Sequence, residues 1–115
     1  MLTLSILTAN CKLVSPEEIM QIIDDELKSH PDITNVYGVD LTTRLVVPTV
    51  QQYWNSSDKR SSEHLWTVLL ETPEREGYVI YFDESTRNFG LGLQSKNELF
   101  DIGTIGTFLR TLYSM

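Results

Sequence analysis

Apolar residues recur at two spacings along this chain, and each spacing predicts a different element. After Ser15-Pro16-Glu17-Glu18, the residues Ile19, Ile22, Ile23 and Leu27 follow at helical intervals, with Met20 beside them. Ser15 suits the N-cap, Pro16 the first helical position and Glu18 the far corner of a capping box, while His30-Pro31 ends the run. Asp24, Asp25 and Lys28 fall on the side turned to water. In the second half the rhythm changes to short apolar runs between polar turns. His64 to Glu71, Tyr78 to Phe82, Phe89 to Leu93 and Glu98 to Ile102 read as four strands, with Asp83 to Asn88 as one of the turns. The chain closes on Thr104 to Met115, where Ile105, Phe108, Leu109 and Leu112 share one helical face.

Between these regions the pattern is weaker. Leu2, Leu4 and Ile6 alternate with Thr3 and Ser5 as in a strand, and a buried N-terminal helix is the alternative. Residues 34–54 hold two β-rich stretches, Val36 to Leu41 and Arg44 to Val47, after which Pro48 interrupts a central strand. Asn55 to Glu63 is polar with nothing to bury and reads as a mobile loop. Helix, consecutive strands with short connections, then helix predicts an α+β fold: an antiparallel β-meander sheet with an N-terminal and a C-terminal helix packed on it. One core is expected from Ile19, Ile23, Leu27, Trp66, Val68, Val79, Tyr81, Phe89, Phe108 and Leu112. In the strand Tyr78 to Phe82, Val79 and Tyr81 lie on one face and Ile80 and Phe82 on the other, so the inward face stays open.

A length of 115 residues fits a single domain, 1–115. Sixteen acids against nine bases, a net charge of −7, argue against direct binding to nucleic acid or an anionic membrane, which needs clustered Lys and Arg. The same charge either keeps a small domain soluble or steers it toward a basic partner. One cysteine, Cys11, excludes an internal disulfide. No basic stretch opens the chain and no apolar run approaches a bilayer span, so the expected location is cytoplasmic.

Candidate chemistry is sparse. His30 and His64 are the only histidines, neither lies in a catalytic signature, and Cys11 has only Lys12 as an electropositive neighbour. Cys11, His30 and His64 are not spaced as metal ligands, and Asp24-Asp25-Glu26 and Asp83-Glu84 match no calcium loop. Glu71, Asp83 and Asp101 are the carboxylates best placed for acid–base work, with nothing in the pattern to bring two together. Gly103 to Thr107 leads into the last helix without the lysine of a phosphate loop, which favours a tight turn capped by a threonine. Gly90 and Gly92 share one strand face, where they would let an aromatic ring or a helix approach. These readings leave no metal, no cofactor and no enzyme as the expectation.

Four segments carry a resemblance: Leu65-Trp66-Thr67-Val68-Leu69, Gly77 to Glu84, Phe89 to Gly92, and Ile102 to Phe108. Together they resemble a group of uncharacterised small acidic bacterial proteins that look like the immunity proteins of polymorphic toxins. The resemblance covers somewhat less than half the chain and transfers no functional residue. It implies a non-enzymatic module that blocks a basic toxin domain, such as a nuclease, by binding it. The alternatives are a structural or regulatory subunit of a larger assembly and, last, a small enzyme or metabolite binder using strand-end carboxylates. Combining expected exposure with charge or an aromatic anchor, the candidate partner-binding residues are Asp24, Asp25, Tyr53, Trp54, Asp83 and Glu84.

Overall fold

The computed structural model describes residues 14–29, 35–36, 39–40, 44–55, 61–71 and 76–115. The first helix, α1, runs Pro16–Lys28 and begins where its capping sequence places it. The Ser15 Oγ accepts a hydrogen bond from the Glu18 amide at 3.1 Å, satisfying one of the free donors of the first turn. The β structure of the described residues then divides into one short strand pair and one five-stranded sheet. Asn35–Val36 (β1) and Val39–Asp40 (β2) pair antiparallel with each other.

The five longer strands form a closed barrel. They are β3 (Leu45–Asn55), β4 (Ser62–Leu70), β5 (Gly77–Asp83), β6 (Asn88–Ser95) and β7 (Glu98–Gly106), each paired antiparallel with the next. An odd number of alternating strands leaves the first and last pointing the same way. Closure is accordingly a parallel pairing, Tyr53↔Leu99, Trp54↔Phe100 and Asn55↔Asp101. This corrects the expected open sheet carrying two helices: the molecule is mostly strand and its sheet curls until its ends meet. Register shifts supply the curl, because an extra residue bends a strand and increases its twist. They occur in β3 between Leu45 and Thr49, in β4 between Thr67 and Leu69, and in the β6–β7 ladder opposite Ile102 and Ile105. Pro48 falls inside the first of these shifts. The missing N–H therefore costs no regular ladder bond, and β3 continues through the residue expected to interrupt it. The polar loop is shorter than expected: Asn55 belongs to β3, Ser62 and Glu63 to β4, and the Asn55 amide donates to the Ser61 carbonyl at 2.9 Å.

A closed barrel has an inside and an outside, and here both are buried. Tyr53, Leu65, Val79, Tyr81 and Leu99 fill the inside. On the outside, α1 and the last helix cover Val68, Leu69, Ile80, Phe82 and Phe89 with Ile19, Ile23, Phe108 and Leu112. The single core expected from sequence is therefore two, with Val79 and Tyr81 in one and the remaining members outside it. Four consecutive buried residues of β5, Val79 to Phe82, are the signature of a strand covered on both faces. In β4 the register shift turns Val68 and Leu69, neighbours that would otherwise face opposite ways, into the same outer cluster.

The C-terminal helix is shorter than its apolar spacing implied. Thr104 to Gly106 extend β7, and only Phe108–Leu112 (α2) is helical. Every donor of its first turn has a partner. The Glu26 carboxylate of α1 accepts from the Phe108 and Leu109 amides at 3.2 and 3.0 Å, and Thr107 Oγ1 accepts from the Arg110 amide at 3.2 Å. The Thr111 amide donates to the Thr107 carbonyl at 3.0 Å. A five-residue helix cannot sustain itself; packing of Phe108 and Leu112 and the Glu26 carboxylate hold it in place.

Candidate interaction surface along β3

The surface worth attention follows β3, because that strand is covered unevenly. On one side β4 pairs along most of its length, while on the other β7 reaches only Tyr53 to Asn55. Among the described residues, Leu45 to Gln52 have no strand on the β7 side.

A groove of about 510 Å³ lies between α1 and the first residues of this stretch. Met20, Ile23 and Leu27 line it from the helix and Leu45, Val46 and Val47 from β3, with Glu17, Gln21 and Asp24 at its edge. Met20 is 48% exposed and Val47 67%, so apolar area stands open to water beside carboxylates. On the helix side, the apolar and the acidic lining both come from the helical repeat. Residues 20, 23 and 27 lie on one stripe of α1, and 17, 21 and 24 lie beside it. The groove residues on β3 were not anticipated; the apolar Leu45-Val46-Val47 run was the available signal.

A second groove, about 500 Å³, opens where β3 parts from β7. Gln51, Gln52, Trp54, Gln94 and Asn97 line it with Leu70, Glu98 and Leu99. Its polar chemistry is side-chain amide, indole and the Glu98 carboxylate, with no basic side chain in the lining. The Gln52 amide already donates to Ser62 Oγ at 2.9 Å.

The six candidate residues do not converge. Asp24 is exposed at the first groove and pairs with Lys28 at 3.0 Å. That contact raises the Lys28 pKa, chiefly through its hydrogen bond. Asp25, on the neighbouring face of α1, accepts from the Gln21 side-chain Nε2 at 2.8 Å. Trp54 is half-buried and lines the second groove. Tyr53, by contrast, is 1% exposed and points into the barrel, so its ring offers no surface to a partner. Asp83 shapes the β5–β6 turn, accepting from the Ser85 amide at 3.0 Å and hydroxyl at 2.7 Å. Glu84 accepts from the Trp66 indole at 3.2 Å. Alternating strand geometry separates Tyr53 from Trp54, since adjacent residues face opposite sides of a sheet.

Of the carboxylates considered for acid–base chemistry, Asp83 and Asp101 lie at one end of the barrel and Glu71 at the other. Glu71 accepts from the Tyr78 amide at 3.0 Å, and Asp101 accepts from the Tyr81 hydroxyl at 2.6 Å. Inside the barrel, Tyr53 and Thr67 share a hydrogen bond of 2.5 Å, and the two tyrosine rings meet edge to face at 5.3 Å. Burial pushes both phenol pKa values well above the ordinary range, and for Tyr81 the hydrogen bond to Asp101 adds to the effect. At the same end, partial desolvation and then the charges of Asp83 and Asp101 raise the Glu63 pKa. His64 is exposed on β4, while Cys11 and His30 lie outside the described residues, as does the strand expected at Leu2 to Ile6. Among the described residues no three His, Cys, Asp or Glu side chains group as metal ligands, and no helix is long and apolar enough to cross a membrane. No protein-family model, curated protein or solved structure matches the chain.

Proposed function

We propose that this chain is a non-catalytic protein-binding module whose partner presents a basic face to the groove between α1 and the first half of β3. The supporting observation is the juxtaposition in that groove of exposed apolar side chains, Met20 and Val47, with the carboxylates of Glu17 and Asp24. Apolar area supplies affinity, and a rim of one charge selects and steers a partner of the other. The narrower form of this reading is an immunity-type protein of the cytoplasm that covers a basic toxin domain, such as a nuclease. Val50 and Ile102, exposed apolar residues outside this groove, favour a second reading: a subunit of a larger assembly with an apolar interface.

Kinetics separate the two. A partner recovered with the intact chain as bait is measured against wild type and the double variant Glu17→Lys with Asp24→Lys, over a range of sodium chloride concentrations. A steering rim predicts association roughly tenfold slower in the variant at low salt, converging with wild type as ions screen the field beyond about 8 Å. A salt-independent association rate, or a partner with an acidic face, leaves the apolar subunit reading in its place.

A further inference from the structure

We infer that the partner enters as an extended segment that pairs, as an added strand, with the open edge of β3. The inference rests on the binding-module reading above and gives the partner a conformation. Leu45 to Gln52 lack a strand on the side facing away from β4 among the described residues, and the two grooves lie at the two ends of this same stretch. The first touches Leu45, Val46 and Val47 in succession. All three lie at the register shift of β3, so this groove meets the strand where the stretch with no strand on its other side, among the described residues, begins. The second touches Gln51, Gln52 and Trp54. An added strand would therefore run from one groove into the other, its backbone on β3 and its side chains alternating between pockets.

The lining describes the occupant. At the α1 end it carries apolar and basic side chains, to meet Met20, Leu27 and Val47 between Glu17 and Asp24. At the Trp54 end it carries small polar side chains, to meet the amides of Gln51, Gln94 and Asn97. Pro48 and the irregular register beside it confine regular pairing of an added strand to Thr49 to Gln52. A second copy of this chain carries the wrong charge, because a net charge of −7 on each copy opposes their association.

The test uses the full chain and two synthetic peptides. One alternates valine with lysine and ends in serine and asparagine; the other is the same peptide with alternate backbone amides N-methylated. The expected result is that the first binds and protects from hydrogen exchange those amides of Thr49 to Gln52 that exchange rapidly in the free chain. The methylated peptide, which keeps charge and side chains but loses strand donors, should bind at least tenfold more weakly, as should the first peptide to Val47→Lys. Equal affinity of the two peptides, with loss in Asp24→Lys, overturns strand pairing and leaves the acid-rimmed groove standing. Loss on methylation with unchanged affinity in Asp24→Lys does the reverse. Absence of binding by the unmethylated peptide overturns the strand proposal. So does protection of these amides in the free chain, whether relieved by removing residues 2–13 or by diluting a dimer, because the edge then has an occupant from this protein.

Discussion

Gly90 and Gly92 exist where they do because tyrosines need their space. A Cβ on Gly90 would collide with the Tyr81 ring, and one on Gly92 would come within 3.0 Å of Tyr53 and closer still to Val79 and the Phe100 carbonyl. Gly90→Ala should therefore cost about 3 kcal/mol by overpacking, read as a lower urea midpoint with an unchanged slope. An unaltered midpoint would mean that the ring moves freely inside the barrel. The two phenols make a second prediction. Their native pKa values are raised above the unfolded ones, so the stability they contribute is complete below about pH 10 and is lost as pH rises through the native values. In an alkaline absorbance titration Tyr53 and Tyr81 should ionise only as near-ultraviolet circular dichroism disappears. Ionisation of all tyrosines before any loss of structure would contradict their burial.

Among the elements, α2 depends most on its neighbours. Its first two amides point at a carboxylate more than eighty residues earlier in the chain. Glu26→Ala should cost about 2 kcal/mol, because it strands two part-buried donors that had a charged acceptor. The amides of Phe108 and Leu109 should exchange faster in that variant. The local cap of α1 is worth less: Ser15→Ala should cost about 1 kcal/mol. Equal effects of the two substitutions on Phe108 and Leu109 exchange would deny Glu26 its specific role. Sequence showed Glu26 only as part of an acidic run on a helix and Asp24, Asp25 and Glu26 as alike. What distinguishes Glu26 is its placement near the end of another helix, a contact with no local signature.

For the whole molecule, one end of the barrel gathers negative charge. Glu63, Asp83 and Asp101 come from three strands, and the raised pKa of Glu63 means that folding disfavours its charged form relative to the unfolded chain. Its contribution to stability is present below the unfolded carboxyl range and is lost as pH rises through the native value. Glu63→Gln should therefore raise the melting temperature slightly at neutral pH, with the gain shrinking both at acid pH and at high salt. The effect is small because the side chain is exposed and screened. A lower melting temperature at neutral pH would show that the carboxylate is held by a favourable contact instead of opposed by like charges.

Local rules determined much of what the chain builds. The α1 cap, the apolar stripe of Ile19, Ile23 and Leu27, the four strand centres beyond residue 60 and the threonine-capped final turn all arise from interactions within a few residues, which sequence spacing records directly. Tertiary structure decided the rest. Whether a sheet stays open or closes depends on where register shifts bend its strands and on whether its first and last edges meet. Tyr53 and Leu99, partners across that seam, are far apart in the chain. The same closure turned Tyr53 inward, split one expected core into two, and, among the described residues, left the first half of β3 with no strand on one side. Hydrophobic alternation tells which residues share a face, but a barrel buries both faces, and only the path of the whole sheet says which face is inside.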